Sequence, residues 1–272
     1  MAPGGGALAF TSVDQPGVAI RSADGERGRA YNGKLGERWL SWSPDGRYLA
    51  FRAEKIPEET PRAFALMVAD PATKSIEKIT DFLPGLGRPT WKVSGARMEL
   101  YAWSSSGLVR KVYDSTMTGA GSDLFVYESE GDVWIQKGQD LPRRVSRGGG
   151  FAPVLSPDGS TILYQWSDAI FVAPANEKDS SEPRLAAHGY GPVWSPDGRR
   201  IAFCVAKDDG HGDPKEADIF TIELAAEHAE PKRLTRTPDE IEMELSWPKN
   251  NRILFSVRND GSIRSAALSG GE

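Results

Sequence analysis

The acidic stretch between Lys207 and Ala217 (KDDGHGDPKEA) contains the residue types that could bind a divalent cation. Its carboxylates and its imidazole come from Asp208, Asp209, His211, Asp213 and Glu216. The spacing does not fit an EF-hand loop, because Gly210 and Gly212 occupy positions that must supply ligands, and zinc would need more histidine or cysteine nearby. We therefore interpret the stretch as a solvated acidic loop and expect no cofactor. Weak binding of calcium or magnesium at the Asp208–Asp213 loop is the alternative.

Histidine is the side chain best suited to acid–base catalysis near neutral pH. The chain has three histidines, His188, His211 and His228, which are scattered along the sequence. The sequence also contains no Gly-x-Ser-x-Gly elbow, so a serine hydrolase would lack its nucleophile. We assign no catalytic residue, and we favour a protein without enzymatic activity.

The composition excludes several classes of partner. The formal net charge is −5 and both signs are mixed along the chain, which does not favour binding to the phosphate backbone of nucleic acid. No apolar run approaches the ~20 residues that span a bilayer. Cys204 is the only cysteine, and we expect a buried structural thiol because it lies in the apolar run 201–205. We also expect a monomer.

One phrase recurs along the chain: an apolar or aromatic residue, then Ser-Pro-Asp-Gly, then a short apolar run. The strong copies are WSPDGRYLAF from Trp42, LSPDGSTILY from Leu155 and WSPDGRRIAF from Trp194. Weaker copies begin at Trp91 and Trp247. Self-similarity at a period of tens of residues indicates a repeat architecture.

The Ser-Pro-Asp-Gly part of the phrase predicts a tight hairpin turn. Proline presets the backbone for the first central position, aspartate bonds its own backbone, and glycine tolerates a positive φ. We therefore interpret Asp45, Asp158 and Asp197 as turn residues, since three catalytic acids at equivalent positions would be redundant.

Each full copy can be divided into four short strands, because runs of β-branched and aromatic residues alternate with Gly, Pro, Asp and Ser. The copy around Trp194 predicts strands at 190–194, 200–205, 218–224 and 231–235. The preceding copy predicts strands at 151–155, 161–166, 170–173 and 183–187. Helical periodicity is weak throughout. Four-stranded units of this size are typical of propeller blades.

The three strong copies resemble the repeats of the TolB-like propeller family, also called WD40-like or PD40 repeats. The segment from Ser122 to Gly149 is similar to a blade of the tricorn-protease type. The resemblance implies an all-β fold, a β-propeller of four-stranded antiparallel blades, in a single domain over residues 1–272. It also favours a periplasmic or secreted protein whose leader has been removed, with a cytoplasmic location as the alternative.

The number of blades depends on two parts of the chain. The interval from Trp91 to Leu155 is too long for one plain blade and short for two, so six blades with an insertion are favoured and seven are the alternative. The last blade lacks an obvious fourth strand. We expect an N-terminal strand at 7–11 to pair there and close the ring.

The strand order predicts which loops could bind a partner. Turns with Pro-Asp-Gly lie at one end of each blade, the turn face. Loops between second and third strands, and between blades, lie at the other end, which we call the channel face. Binding residues concentrate on loops held by a rigid scaffold. Large or charged residues before each copy vary between copies and are our binding candidates, together with residues of the long loops: Arg38, Trp39, Arg88, Phe151, His188, Tyr190, Glu244, Asp209 and His211.

The favoured function is a non-enzymatic propeller that binds a protein or peptide partner on the channel face. One alternative is a carbohydrate-active enzyme, a polyuronate lyase or a glycoside hydrolase, that uses the same face. Another is the propeller that gates the active site of a larger peptidase.

Overall fold

The structure, a computed structural model, is all-β. It describes residues 2, 6–11, 17–22, 27–33, 35–55, 62–94, 96–104, 106–116, 124–138, 140–176, 182–208, 214–224, 229–248 and 251–268. These residues form 25 strands in seven antiparallel sheets and include no helix. A search of the described residues for a helix long and apolar enough to cross a membrane finds none.

The chain separates into two compact units. The first unit contains residues 1–130 and 134–143, and the second contains 131–133 and 144–272. The prediction of a single domain over 1–272 stays a prediction.

The first three sheets belong to the first unit. Sheet one has strand order β1-β2-β3, with β1 at Ala7–Phe10, β2 at Val18–Ser22 and β3 at Arg27–Tyr31. Sheet two consists of β4 Leu35–Trp42, β5 Leu49–Glu54, β6 Ala63–Asp70 and β7 Ser75–Lys78 in that order, with β8 Leu83–Pro84 also paired to β6. Sheet three has β9 at Thr90–Ser94, β10 at Arg97–Ser104 and β11 at Gly107–Asp114.

The division between the units falls within sheet four, which has β12 at Leu124–Ser129, β13 at Asp132–Lys137 and β14 at Arg143–Arg144. Sheet five consists of β15 Phe151–Leu155, β16 Thr161–Trp166, β17 Ala169–Pro174 and β18 Arg184–His188. Sheet six consists of β19 Tyr190–Trp194, β20 Arg200–Asp208, β21 Pro214–Glu223 and β22 Lys232–Arg233. Sheet seven has β23 at Glu242–Ser246, β24 at Arg252–Val257 and β25 at Ile263–Ala267.

These sheets confirm a β-propeller fold and correct the favoured count of six blades. The described residues form seven sheets of blade size. The interval from Trp91 to Leu155 contains the two three-stranded sheets three and four, where we had expected one blade with an insertion. The expected closing strand is also wrong, because β1 pairs with β2, from Ala7 opposite Ser22 to Phe10 opposite Ala19.

The Ser-Pro-Asp-Gly turns form as predicted. In the copy at Trp194, Ser195 Oγ donates to Asp197 Oδ1 at 2.5 Å, Gly198 N donates to Ser195 O at 2.9 Å, and Arg200 N donates to Ser195 Oγ at 2.9 Å. Gly198 has φ +70°, where a side chain would be strained. The serine hydrogen bond holds the pKa of Asp197 below its usual range. Oδ1 of the carboxylate is therefore held by its own turn.

The aromatic residue before each turn packs between neighbouring sheets. Trp194 Nε1 donates to Val154 O of sheet five at 3.3 Å, and Trp91 Nε1 donates to Ser41 O of sheet two at 3.0 Å. Trp194 lies in a buried cluster with Leu163, Ile170, Ile201 and Phe203. Cys204 is buried, and burial raises its pKa to about 12, so this thiol is a structural residue as expected.

A second repeated motif was missed in the sequence: a basic residue, an apolar residue, then Ser or Thr. In the second unit Arg233 pairs with the buried Asp218, while Thr235 Oγ1 accepts from Ile219 N at 2.8 Å. Arg144 and Ser146 repeat this arrangement around Asp132, where Ser146 Oγ donates to Asp132 Oδ1 at 2.9 Å. The motif attaches the outer segment of a blade to its third strand, so these buried aspartates are structural residues.

Candidate functional site

The first strands of sheets five, six and seven all begin with a β-bulge. Phe151 pairs with Gln165 and Val154 pairs with Leu163, so two residues of β15 stand opposite one residue of β16. The extra residue has a positive φ in each sheet: Ala152 at +53°, Gly191 at +58° and Glu244 at +55°. A bulge re-aims the neighbouring side chains and often lies beside a functional site. The bulges lie at the binding candidates that the sequence indicated in these sheets, Phe151, Tyr190 and Glu244.

In the first unit the corresponding irregularity is larger. Leu35 pairs with Ala53 and Leu40 pairs with Phe51, so residues 36–39 of β4 stand opposite Arg52 alone. This places the indole of Trp39 against the guanidinium of Arg52, with Arg52 Cζ 3.8 Å from the ring centroid. Arg88 Cζ also lies 3.8 Å from the Trp39 ring. The two predicted residues Trp39 and Arg88 are therefore in contact.

The stack continues beyond Arg52. Arg52 Cζ lies 4.5 Å from the ring centroid of Phe64, and Arg62 Cζ lies 5.3 Å from the same ring. We call the five residues Arg88, Trp39, Arg52, Phe64 and Arg62 the arginine ladder, because guanidinium groups and aromatic rings alternate in it. Such cation–π contacts stabilise by ~0.5–2 kcal/mol each, and most where water is excluded. Arg52 is buried and also donates to Leu86 O.

Two carboxylates flank the arginine ladder. Arg62 Nε lies 2.6 Å from Glu54 Oε1, and Arg88 Nε lies 3.6 Å from Glu128 Oε1. The side chain of Glu54 is 4% exposed, whereas those of Arg62 and Arg88 are 52% and 32% exposed. Among the described residues, two carboxylates therefore pair with the ladder, and the side chains of both outer arginines are partly exposed. Arg38 lies within β4, but its side chain is outside the described residues.

Sheet five brings two predicted residues and one unpredicted tryptophan to its channel-face end. Phe151 pairs with Gln165, the neighbouring Trp166 pairs with Ala169, and Ala169 pairs with His188. Trp166 is 50% exposed. A signal for Trp166 was present in the sequence, since this residue follows the apolar run 162–164 and stands among the polar residues Gln165, Ser167 and Asp168.

The indole of Trp166 lies directly on the backbone of Gly149. A Cβ on Gly149 would be 2.4 Å from Trp166 Nε1, so only glycine fits beneath the ring, and the φ of +134° also requires glycine. Beside this ring, His188 Nδ1 lies 3.5 Å from Asp168 Oδ2, and both side chains are largely exposed. The result is an exposed aromatic surface next to an exposed histidine–carboxylate pair.

Tyr190 and Glu244 lie in the second unit, where β19 and β23 each begin with a β-bulge. Tyr190 is 43% exposed, and the following Gly191 N donates to the side chain of Gln165 at 3.1 Å. Glu244 is exposed and accepts a hydrogen bond from Ser256 Oγ at 3.0 Å. These two side chains are therefore presented to solvent on a backbone that neighbouring residues hold in place.

A buried acid that we had not predicted lies at the start of β23. Glu242 is 1% exposed, and it accepts hydrogen bonds from Thr235 Oγ1 and, at 2.9 Å, from Thr237 Oγ1. Burial raises the pKa of Glu242 above its usual range, and the two threonine hydrogen bonds offset only part of this effect. The acid therefore links the start of β23 to the segment that joins sheets six and seven.

The structure describes only the two ends of the acidic loop. Asp209 and His211 lie outside the described residues, and Asp208 ends β20. Glu216 forms ion pairs with Lys207 at 2.7 Å and with Arg233 at 3.0 Å. Among the residues that the structure describes, no group of three or more His, Cys, Asp or Glu side chains could hold a metal ion.

Solved structures show what the fold resembles. TolB from Acinetobacter baumannii matches 100% of this chain with a TM-score of 0.54 and 19% identity, and this chain covers 66% of that protein. An oligogalacturonate lyase in complex with manganese matches 97% of the chain with a TM-score of 0.50 and 15% identity, with 74% of the lyase covered. A proposed 6-phosphogluconolactonase from Bacteroides uniformis matches 95% of the chain with a TM-score of 0.56 and 13% identity, with 91% of that protein covered.

These similarities define the class of fold. The chain has a TolB-like β-propeller fold, and identities this low show the fold alone. The chain spans slightly less than two thirds of the length of the TolB protein. No family model matches the sequence, and no curated protein is similar to it.

Proposed function

We propose that this protein is a non-enzymatic propeller that binds a protein or peptide partner on its channel face. The observation that carries the proposal is the type of residue at the variable positions. Arg, Trp and Tyr dominate the binding energy of protein interfaces, and here Trp39, Arg88 and Tyr190 stand at those positions.

The arrangement of these side chains supports a binding role. Trp39 and Arg88 are held in one orientation by the stack with Arg52, so little conformational entropy remains to be lost on association. Tyr190 and Trp166 expose aromatic side chains on strands of sheets six and five. Tyr and Trp are enriched among the residues that dominate the binding energy of protein interfaces. The resemblance to TolB favours a periplasmic or secreted partner.

The test compares variants on the two ends of the sheets. Affinity capture with the intact chain identifies a partner, and its dissociation constant is then measured for Arg88→Ala, Tyr190→Ala and the control Arg199→Ala. Arg199 is exposed in a Pro-Asp-Gly turn at the turn face. We expect at least about tenfold weaker binding for the two channel-face variants, with melting curves that show both variants folded at the temperature of the binding assay. Loss of binding in Arg199→Ala alone would contradict the proposal.

A second candidate function has one specific observation in its favour. The exposed Trp166 and the His188–Asp168 pair lie at the channel-face end of sheet five, and one similar structure is an oligogalacturonate lyase with manganese. An aromatic ring can stack on a sugar, and a histidine can act as a base. Turnover of oligogalacturonate that is lost in His188→Ala and on addition of a chelator would establish this alternative and overturn the binding proposal.

A further inference from the structure

We infer that the free edge of sheet three is a docking site for an extended segment of another protein, which pairs antiparallel to β11 and extends the sheet by one strand. The segment carries an apolar, an acidic and a second apolar residue at alternate positions. The edge begins at the channel-face loop between β10 and β11 and ends beside the Pro-Asp-Gly turn of sheet two. It therefore runs along the side of the sheet, and the inference is independent of the proposed function.

The first observation is the length and regularity of β11. Its eight residues pair with β10 in an unbroken register, from Gly107 opposite Ser104 to Asp114 opposite Arg97. Among the described strands only β10 pairs with β11, whereas the third strands of sheets two, five and six each pair with a fourth. Many proteins protect such an edge with a bulge, a proline or a very short strand. Since β11 has none of these three, its edge is a template for strand addition.

The second observation is the direction of the backbone groups. Ser115 N donates to Ala96 O at 2.8 Å, so the odd-numbered residues of this segment form hydrogen bonds with β10. The even-numbered residues alternate with them and direct their N–H and C=O groups to the free edge. Within the described part of the chain, the edge-facing backbone groups of Leu108, Arg110 and Val112 have no hydrogen-bond partner. An added antiparallel strand supplies those partners.

The turn of sheet two closes one end of this edge. Thr116 N donates to Asp45 Oδ2 at 3.3 Å. Asp114 O accepts a hydrogen bond from Arg47 Nη1 at 3.4 Å. An added strand therefore pairs with residues 108–112, and the closed end fixes its register.

The third observation is the set of side chains on the open part of the edge. Leu108 is 38% exposed and Val112 is 39% exposed, and both lie on the same face of the strand as Arg110. Because directly opposed side chains of neighbouring strands lie ~5 Å apart, apolar residues opposite Leu108 and Val112 would cover this surface. Arg110 donates to Glu99 through Nε and Nη2, which leaves Nη1 to donate to an acidic side chain on the added strand.

A second copy of this chain is a poorer occupant than a different protein. Because the edge is closed near Asp114, two copies would pair through residues 108–112 on each side. In an antiparallel pair this register places the two Arg110 side chains directly opposite each other, and like charges in that position destabilise a strand pair. Arg110 therefore acts against self-association, while a partner segment with an acid at that position meets no repulsion.

The experiment measures binding of labelled synthetic peptides to the intact chain by fluorescence anisotropy. The parent peptide has Val-Thr-Glu-Thr-Val between short Gly-Ser ends, and a second peptide has Lys in place of Glu. Two further peptides carry N-methyl groups, one on both Val and the Glu, and the other on the two Thr. The parent peptide should bind about fivefold or more tightly than the Lys peptide.

The N-methylated peptides test strand pairing directly. In the inferred register the N–H groups of Val and Glu face β11, so their methylation should abolish binding. The N–H groups of Thr face away, so their methylation should leave most of the binding. The inference is wrong if the parent peptide does not bind, if the Lys peptide binds as tightly or more tightly, or if methylation of Thr weakens binding as much as methylation of Val and Glu.

A proline variant localises the site. Val112→Pro removes an N–H that faces the free edge and no hydrogen bond to β10, and proline is tolerated at such edge positions. We expect at least about tenfold weaker binding of the parent peptide. Ile76→Pro is the matched control, because Ile76 is 42% exposed on the outer strand β7. Ile79 N donates to Leu66 O at 2.8 Å, so the Ile76 N–H also faces away from the neighbouring strand β6. The control should bind the peptide as the unaltered chain does.

Further outcomes separate this inference from the proposed function. If Val112→Pro does not fold, the two N-methylated peptides decide on the unaltered chain. Loss of peptide binding in Arg88→Ala or Tyr190→Ala, with full binding in Val112→Pro, would place the peptide on the channel face and overturn only this inference. Peptide binding as expected, with a captured partner that binds all channel-face variants equally, would overturn only the proposed function. A dimer in sedimentation equilibrium that Val112→Pro converts to a monomer would show that a second copy occupies the edge, against this inference.

Discussion

The two units use equivalent positions of the repeat in opposite ways. Arg52 in the first unit and Gln165 in the second each directly follow a strong copy of the repeated phrase. Arg52 is a buried cation held between two rings, and it draws Trp39 into a stack. Gln165 is a buried amide that donates to Ser167 O and accepts from Gly191 N, and its neighbour Trp166 is half exposed.

This difference shows how one frame gives two kinds of surface. In sheet two the second strand presents the cation Arg52, and Trp39 of the first strand stacks on it. In sheet five the second strand presents the neutral amide of Gln165, and the neighbouring Trp166 remains half exposed. The same position of the repeat is therefore accompanied by different side-chain arrangements in the two sheets.

The largest loss of stability is expected when the buried cation Arg52 is removed. Arg52→Met keeps much of the volume but leaves Trp39, Phe64 and Leu86 O without their guanidinium partner. We expect a loss of about 2–4 kcal/mol in the free energy of unfolding, measured by denaturant titration. The control Arg199→Met should stay within about 0.5 kcal/mol of the unaltered protein. Equal stability of both variants would show that the stack has no structural role.

A smaller effect is expected from Gly149→Ala in the second unit. The added Cβ would meet Trp166 Nε1 at 2.4 Å, and the φ of +134° would be strained. We expect a loss of about 1–3 kcal/mol and a shift of the Trp166 indole N–H resonance. Gly148→Ala is a matched control, because Gly148 also has a positive φ, +89°, but has nothing within 4 Å. If the two variants lose the same free energy of unfolding, the contact with Trp166 contributes nothing to stability.

The buried acid in the second unit predicts a pH dependence. Because the folded protein raises the pKa of Glu242, the favourable contribution of the protonated acid is complete below the usual glutamic acid range of about pH 4. It is lost as the pH rises through the raised folded value. Glu242→Gln, which stays neutral, should therefore gain stability relative to the unaltered protein as the pH rises. A constant difference between the two unfolding curves from acid to neutral pH would contradict this.

The smallest effect on stability is expected at the exposed aromatic surface. Trp166→Ala removes a ring that is half exposed, so we expect a change within about 1 kcal/mol in the free energy of unfolding. Trp39→Ala, in contrast, should cause a larger loss in the free energy of unfolding, because the guanidinium groups of Arg52 and Arg88 both contact that ring. Both variants should be unfolded in the same denaturant so that their losses in the free energy of unfolding can be compared. Equal losses would show that the two tryptophans do not differ in their contribution to stability.

The frame of the fold could be predicted from the sequence in some detail. The strands at 151–155, 161–166 and 190–194 have the predicted bounds, and the Ser-Pro-Asp-Gly turns form with the expected hydrogen bonds. The blade count was harder, because sheets three and four carry only weak copies of the phrase or none. The binding role of the channel-face residues stays a prediction; the structure places Phe151, His188 and Tyr190 at strand ends and brings Trp39 of β4 into contact with Arg88.

The roles of those residues could not be predicted, because they depend on partners far away along the chain. A hairpin turn is specified within about five residues, since its hydrogen bonds join Ser195 to Asp197, Gly198 and Arg200. The arginine ladder joins residues 39, 52, 62, 64 and 88, and its existence depends on a strand irregularity that no local pattern marks. Local backbone chemistry thus explains the repeated frame. The surroundings of a variable aromatic residue such as Trp39 depend instead on side chains that the fold brings to it from other strands.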